Sequence, residues 1–201
     1  MSGASTSAPG LSEANCIIAE KIVDTFNGPP EVSSYHDADR RHTIHVAAKA
    51  NCPSPGVTSY STMGLSDTPL IHNGEEFGTG LEILAACKST TNKFFDRAVS
   101  TAAFYVIREK AFCAPGYVFM DILNQYEPDI LFPHFYFTTP CFWENWSRTM
   151  QLPGKVVSFL QAIPISESER RYLLQHGEDA FETLLEEKDV DLCDLSREPV
   201  V

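Results

Sequence analysis

The sequence KVVSFLQAIPISESE, residues 155–169, contains the two signals that decide the class of fold. Its first part, residues 156–163, is an apolar run of the length of one strand. Ser166 then precedes Glu169 by three residues, which is the spacing of a capping box. In that motif each side chain bonds the other residue's free backbone N–H at a helix start. A strand that leads directly into a helix predicts an α/β fold.

Three further strands are predicted on the N-terminal side of this stretch. Residues 42–50 and 57–63 flank the sequence NCPSPG, whose prolines and glycine prevent either strand from continuing, so the two should form a hairpin. The apolar run at residues 80–87 is short enough for a strand buried on both faces. These strands should belong to one sheet.

A long amphipathic helix is predicted at residues 91–110, with Thr91 or Asn92 as its N-cap. Its apolar stripe consists of Phe95, Ala98, Val99, Ala102 and Val106. Further elements are a first helix capped by Ser12 and ended by residues 27–30, extended segments over residues 114–140, a helix end at Gly177, a short helix at residues 180–185 and a last strand at residues 190–195. The short turns between the early strands predict a mixed, mostly antiparallel sheet with helices packed on it, an α/β (α+β) fold.

The length and composition favour one folded unit. The chain has 201 residues, 43% of them hydrophobic, which suits one core better than two. We predict a flexible N-terminus at residues 1–11 and a single domain at residues 12–201. Neither a signal peptide nor a membrane-spanning apolar stretch is recognised, so a cytoplasmic location is expected. The six cysteines lack CxxC spacing, and Cys113 and Cys141 in particular are expected to be reduced and inaccessible.

The charge balance indicates which partners are unsuitable. The formal net charge is −12, which opposes binding to nucleic acid and to anionic membranes. A basic protein would be attracted, although many soluble proteins are acidic without using their charge for binding. The sequence does not indicate an oligomeric state.

The sequence contains no convincing catalytic, nucleotide-binding or metal-binding motif. Gly78 and Gly80 are not followed by the third glycine of a dinucleotide fingerprint, and there is no phosphate-binding loop or nucleophile elbow. His42 and His45 are an odd number of residues apart and should lie on opposite faces of a strand, which disfavours a metal site. We therefore expect no cofactor, no metal and no enzymatic activity. His134, within an aromatic run, is interpreted as a hydrogen-bonded core histidine.

Four segments resemble, in order, the suppressor-of-fused domain over residues 35–200. They are residues 61–69 (STMGLSDTP), residues 112–116 (FCAPG), His134 with residues 140–143 (PCFW), and residues 156–169 followed by Gly177 and residues 191–197 (DLCDLSR). The residues that the resemblance implies to be structural are Gly64, Leu65, Ser66, Asp67, His134, Trp143, Asp191, Asp194 and Arg197. Within the turn before Pro69, Asp67 is predicted to bond backbone N–H groups. Cys141 departs from the family pattern, which more often has an aromatic residue there.

The resemblance implies a non-enzymatic protein-binding domain. Small bacterial members of the family resemble immunity proteins, so an antitoxin that binds and neutralises a cognate toxin is expected, for instance a nuclease with a basic surface. Two alternatives stay open: a scaffold that sequesters a peptide by strand addition, and a hydrolase that uses His134 with a cysteine or a carboxylate.

Two groups of residues are predicted to contact the partner. Charged side chains should accelerate association, whereas buried aromatic side chains should carry affinity. The candidates are Glu75, Glu76, Glu186 and Glu187 for steering, with Tyr105 and Tyr117 as anchors.

Overall fold

An eight-stranded mixed sheet organises the parts of the chain that this computed structural model describes, residues 12–90, 93–144 and 146–201. The strands are β1 Glu31–His36, β2 Thr43–Ala50, β3 Val57–Met63, β4 Leu70–His72, β5 Glu75–Phe77, β6 Thr79–Lys88, β7 Val118–Phe119, β8 His134–Thr138, β9 Thr149–Leu152 and β10 Lys155–Ile165. The sheet order is β1-β2-β3-β6-β10-β8-β7, β9 pairs with β10 off this path, and β4 and β5 form a separate hairpin.

Strand β10 holds the centre of the sheet together. It pairs in parallel with β6, with Val156 opposite Thr79, whereas the other pairings between described strands are antiparallel. The edge of β10 that faces away from β6 has two partners. Its first part, Lys155–Ser158, pairs with β9, and its last part, from Gln161 onward, pairs with β8. The predicted mixed, mostly antiparallel sheet is confirmed.

Four α-helices pack on this sheet, and two of them have the predicted N-caps. They are α1 Glu13–Thr25, α2 Phe95–Glu109, α3 Glu167–His176 and α4 Glu178–Glu187. Ser12 accepts a hydrogen bond from the backbone N–H of Asn15 at 3.2 Å. Ser166 and Glu169 form the reciprocal capping box at the start of α3, with N–H contacts of 3.1 and 2.9 Å. Both cap predictions are confirmed.

The start of α2 differs from the prediction. The helix begins at Phe95, and its N-cap position is occupied by Phe94, which makes no side-chain capping bond. Thr91 and Asn92, the predicted caps, lie outside the described residues. The predicted apolar stripe is buried as a whole, so burial against the sheet stabilises this helix without a polar cap.

The alternation of side chains along β6 divides the core between the two faces of the sheet. Ile83 and Ala85 belong to the cluster that contains the apolar stripe of α2. Leu84 and Ala86 belong to the cluster that contains α1 and the two tryptophans. Because the strand is buried on both faces, its sequence is a continuous apolar run, as predicted. None of the helices in the described residues combines the length and apolar character that crossing a membrane requires.

The predicted last strand at residues 190–195 is wrong, because that segment forms consecutive turns. The carboxylate of Asp191 accepts from the N–H of Cys193 at 3.0 Å, and that of Asp194 accepts from the N–H of Ser196 at 2.8 Å. Each aspartate thus bonds the backbone two residues ahead, which is the pattern of an Asx turn. Such turns can produce the same alternation of polar and apolar residues as a strand.

The cysteines divide into buried and exposed residues. All six are free, and Cys113 is buried as predicted. Cys141 is exposed as a residue, so the prediction that it is inaccessible is wrong, although its Sγ is partly covered and lies 3.5 Å from Gln161 Oε1. It lies in the connection between β8 and β9, where Gln161 of β10 binds its backbone N–H and the residue stays at the surface. An apolar neighbour in sequence does not bury a residue when the backbone runs along the surface.

Candidate functional site: an aromatic surface above an apolar cleft

Four aromatic rings form a continuous patch that is partly exposed, and we call His72, Phe77, Phe112 and Tyr117 the aromatic surface. Phe112 lies at its centre, with ring centroids 4.2 Å from His72, 5.2 Å from Phe77 and 5.6 Å from Tyr117. Phe77 is 45% exposed and Tyr117 is 41% exposed. Contiguous exposed aromatic side chains are typical of surfaces that bind another molecule.

Two tight turns bring these rings together. His72 and Phe77 lie on the β4–β5 hairpin, whose turn residues Asn73 and Gly74 both have positive φ, 53° and 85°, as a two-residue hairpin turn requires. Tyr117 follows Gly116, which also has a positive φ of 85°. The Glu178 side chain of α4 lies against Gly116, where an added Cβ would be 2.7 Å from its carboxylate, and the positive φ favours glycine at this turn.

An apolar cleft of about 230 Å³ lies beside the aromatic surface. Phe77 and Phe112 belong to both features. The rest of the lining comes from β4, the start of β6, the segment after Phe112, the residue after β8, the start of β9 and the middle of β10. It includes Leu70, Leu81, Cys113, Thr139, Arg148, Thr149 and Leu160.

The structure places some of the predicted partner residues near the aromatic surface and others away from it. Glu75 and Glu76 are exposed on β5 directly before Phe77, and Tyr117 is part of the surface. Tyr105 packs edge-on against Phe119, two residues after Tyr117, with centroids 4.8 Å apart. These four candidates occupy one region.

Glu186 and Glu187 lie at the far end of α4. The first turn of this helix contacts Gly116, and residue 186 is about 12 Å further along the axis at the usual rise per residue. Glu186 lies near Cys141. Partial burial is the first cause of the raised pKa of the Cys141 thiol, and the negative charge of Glu186 raises it further. Between the two ends, Glu182 accepts hydrogen bonds from Tyr136 and Thr138. The structure therefore separates Glu186 and Glu187 from the aromatic surface.

The segment at residues 64–67 surrounds a buried carboxylate that the sequence reasoning missed. Glu82 of β6 is fully buried, and its Oε1 accepts from the N–H groups of Gly64 and Ser66 at 3.0 Å each and from the Ser66 hydroxyl at 2.7 Å. Its Oε2 accepts from the Thr62 hydroxyl at 2.6 Å. Burial raises the pKa of Glu82, and the four hydrogen bonds counteract part of that effect. A charged residue inside an otherwise apolar strand was the available signal.

The predicted role of Asp67 is wrong. Its carboxylate accepts from Asn15 Nδ2 at 2.7 Å and from Lys155 Nζ at 2.6 Å, so it ties α1 and β10 to the turn. The backbone N–H groups of Gly64 and Ser66 donate to Glu82 instead, because that carboxylate is buried at the centre of the segment. Leu65 of the same segment is buried in the core.

The other residues implied to be structural bond within the fold. Trp143 donates to the Ser59 hydroxyl at 2.9 Å. Arg197, with a side chain 6% exposed, pairs with buried Glu169 at 2.5 Å. Lys88 bridges Asp191 at 3.0 Å and Asp194 at 2.6 Å, which lowers the pKa of Asp194 to about 2. Each contact joins residues far apart in sequence.

His134 is buried, and both of its ring nitrogens are engaged. The N–H of Asp121 donates to Nδ1 at 3.0 Å, which makes Nδ1 an acceptor and places the ring proton on Nε2. Nε2 then donates to Glu167 at 3.1 Å. Arg170 and Arg171 bind the same carboxylate and lower the pKa of Glu167 to about 2. A histidine held in this way has no free nitrogen with which to accept a proton from a nucleophile.

No group of His, Cys, Asp and Glu side chains that could hold a metal ion occurs within residues 12–90, 93–144 and 146–201. Glu82, Tyr136 and His134 are buried polar groups, but each is bonded to neighbouring protein groups. The aromatic surface and its cleft remain the strongest candidate site, and their chemistry is that of binding.

Comparison with known proteins identifies several relatives. The profile of the family described as "Suppressor of fused protein (SUFU)" matches residues 39–198. Immunity protein YqcF of Bacillus subtilis (strain 168) is 36% identical over 194 residues, which cover 96% of this chain and 100% of that protein. This relationship spans nearly the full length of both chains.

Solved structures show the same fold at low sequence identity. The crystal structure of a SUFU homologue from Neisseria gonorrhoeae FA 1090 superposes with a TM-score of 0.68 at 16% identity, covering 94% of this chain and 97% of that one. A chain of the Sufu–Fu complex superposes with a TM-score of 0.69 at 9% identity, covering 95% and 93%. Drosophila Suppressor of Fused superposes with a TM-score of 0.57 at 11% identity over 79% of this chain and 42% of that one.

Proposed function

The chain belongs to the suppressor-of-fused protein family, and on this premise we propose that it is a non-enzymatic, cytoplasmic immunity protein that binds a cognate toxin and neutralises it. The observation that carries the proposal is the 36% identity to immunity protein YqcF over 96% of this chain. Binding, rather than chemistry, also suits a molecule whose best candidate site is aromatic and whose buried histidine has both nitrogens occupied.

The aromatic surface is the proposed interface, with Glu75 and Glu76 beside it. Exposed aromatic rings can lose solvent on association and carry affinity, with Tyr117 as the anchor. The two glutamates, together with the net charge of −12, would attract a basic toxin such as a nuclease. A toxin domain that uses basic side chains to hold phosphate would be blocked by a partner covering those side chains.

The test is to co-express the chain with the toxin domain encoded beside its gene, score survival, and measure binding rates at several salt concentrations. The double variant Glu75→Lys/Glu76→Lys should slow association and flatten its salt dependence, because exposed charges act on encounter. Tyr117→Ala should instead accelerate dissociation by about tenfold or more, the effect of removing about 2 kcal/mol.

A matched control carries the same change in net charge on another part of the surface. Glu20 and Asp24 are exposed on α1, which packs on the opposite face of the sheet from α2. Glu20→Lys/Asp24→Lys should therefore slow association much less than the double variant on β5. If no toxin domain binds the wild-type chain, or survival is unchanged by its expression, the proposed function is refuted.

A second candidate is a scaffold that sequesters a peptide by strand addition. The observation in its favour is that, among the described strands, β1 ends the sheet and pairs with β2 alone, and that it exposes five of its six residues. A hydrolase that uses His134 has no such observation in its favour, because both ring nitrogens of that residue are engaged. It would be supported if His134→Gln abolished protection while toxin affinity stayed unchanged.

A further inference from the structure

Arg148 is the charged residue among those that line the cleft beside the aromatic surface. It is exposed, and no hydrogen bond or ion pair joins its guanidinium to another of the described residues. No carboxylate lines the cleft. The cleft therefore offers an apolar volume with a single positive group, a combination that suits an apolar ligand bearing a negative charge.

One wall of this cleft is built into the sheet, and the rest comes from connecting segments. Strand β10 is paired with β9 up to Ser158 and with β8 from Gln161 onward, so Phe159 and Leu160 lie where the neighbouring strand changes. The N–H of Phe159 donates to the carbonyl of Arg148 at 2.9 Å, which holds Arg148 at the edge of this gap. A cavity bounded by paired strands keeps its shape better than one bounded by free loops.

The volume sets the size of the occupant. An apolar cavity of about 150 Å³ is enough to hold benzene, and this cleft measures about 230 Å³. A phenyl or indole ring therefore fits, with Leu81 and Leu160 among the groups that would cover it. Burial of one aromatic side chain in such a cleft is the usual way in which an interface obtains a dominant anchor.

Resting on the proposed function, we propose that this cleft receives one aromatic side chain of the toxin and that Arg148 pairs with a carboxylate close to it in the toxin sequence. Charge complementarity supports this occupant: Glu75 and Glu76 are exposed directly before Phe77, which lines the cleft, and would attract basic groups of the toxin, whereas Arg148 at the lining would pair with an acidic one. The toxin segment is thus an aromatic residue with an adjacent acid, carried on a basic domain.

The first experiment uses two small probes with the same ring. N-acetyltryptophan carries a carboxylate, and N-acetyltryptophanamide does not. Titration of the isotope-labelled chain, followed by amide NMR shifts, should show saturable binding of the acid in the millimolar range, with shifts centred on Leu81 and Leu160. The amide should bind about two- to fivefold more weakly, the value of one exposed ion pair. Arg148→Gln should remove this difference between the probes.

Ala114→Trp, which fills the cleft, should abolish the binding of both probes. Leu174→Trp is the matched control, because Leu174 is 69% exposed on α3 and does not line the cleft. Equal affinity of the two probes for the wild-type chain, or shifts located elsewhere, would overturn the inference.

The second experiment separates this inference from the proposed function. With the toxin domain encoded beside the gene, Ala114→Trp should weaken binding at least about tenfold, and Arg148→Gln about two- to fivefold, while Leu174→Trp should not. If the wild-type chain binds the toxin and Ala114→Trp binds it equally well, the cleft is not the anchor site although the function stands. If the wild-type chain binds no toxin, the proposed function itself fails.

Discussion

Replacement of Glu82 tests whether the buried carboxylate organises the segment at residues 64–67. Glu82→Leu removes the acceptor of four hydrogen bonds, from the N–H groups of Gly64 and Ser66 and the hydroxyls of Ser66 and Thr62. The hydroxyls can turn toward other acceptors, but the two backbone N–H groups cannot. Each unsatisfied donor costs about 1–3 kcal/mol, and part of this cost is offset because the variant no longer buries a carboxylate. The free energy of unfolding should therefore fall by about 3 kcal/mol.

Glu82→Gln is the conservative counterpart. Its amide oxygen can keep the three hydrogen bonds that Oε1 accepts, and only the acceptor for the Thr62 hydroxyl is lost. This variant should lose about 1 kcal/mol. Urea unfolding followed by circular dichroism measures both losses, and Glu109→Gln, at the exposed end of α2, provides the control.

The two Glu82 variants also predict a pH dependence. Burial raises the pKa of Glu82 in the folded state above its ordinary value of 4.5. As the pH rises above 4.5, the folded chain therefore retains a proton that the unfolded chain releases. The contribution of Glu82 to the free energy of unfolding is greatest below pH 4.5 and declines as the pH rises through the folded pKa. The stability advantage of the wild type over Glu82→Gln should accordingly be smaller at neutral pH. A constant difference across this range, or equal losses for Glu82→Leu and Glu82→Gln, would refute the reasoning.

Three further predictions concern caps, ion pairs and thiols. Ser166→Ala should lower the free energy of unfolding by about 0.5–2 kcal/mol without loss of toxin binding, and a denaturant titration that shows no change would contradict the capping role. Arg197→Met should cost about 3–5 kcal/mol, because it leaves buried Glu169 without its cation; a melting temperature equal to that of the wild type would argue against this. A thiol reagent should label Cys141 faster than Cys113, because Cys141 is exposed and Cys113 is buried, although burial raises the pKa of both thiols; labelling at equal rates in the native state, with the denatured chain as reference, would show that the two are equally accessible.

Local patterns were sufficient to predict most of the secondary structure. The capping box at Ser166, the stripe on α2 and the apolar run of β6 each depend on residues close in sequence, and the structure contains all three. The prediction failed at residues 190–195, where Asx turns imitate the alternation of a strand. The resemblance to the suppressor-of-fused domain rested on such local segments and was confirmed by the family match.

The candidate site could be predicted only in part. The sequence alone indicated Glu75, Glu76, Tyr105 and Tyr117, and the structure places these four in one region. Their roles in binding stay predictions. The central position of Phe112 and the cleft beside it were not predicted, since the lining comes from six separate segments of the chain.

The sequence by itself determined the strands β2, β3, β6 and β10, the helices, and the caps of α1 and α3, because the energies that select them act between residues a few positions apart. Tertiary structure alone decided which distant groups meet. Examples are Glu82 with Ser66, sixteen residues away, and Arg197 with Glu169, twenty-eight residues away. The aromatic surface likewise forms only where tertiary structure brings separate segments together. Such contacts depend on strand order and on the direction of each connection, and no local periodicity contains that information.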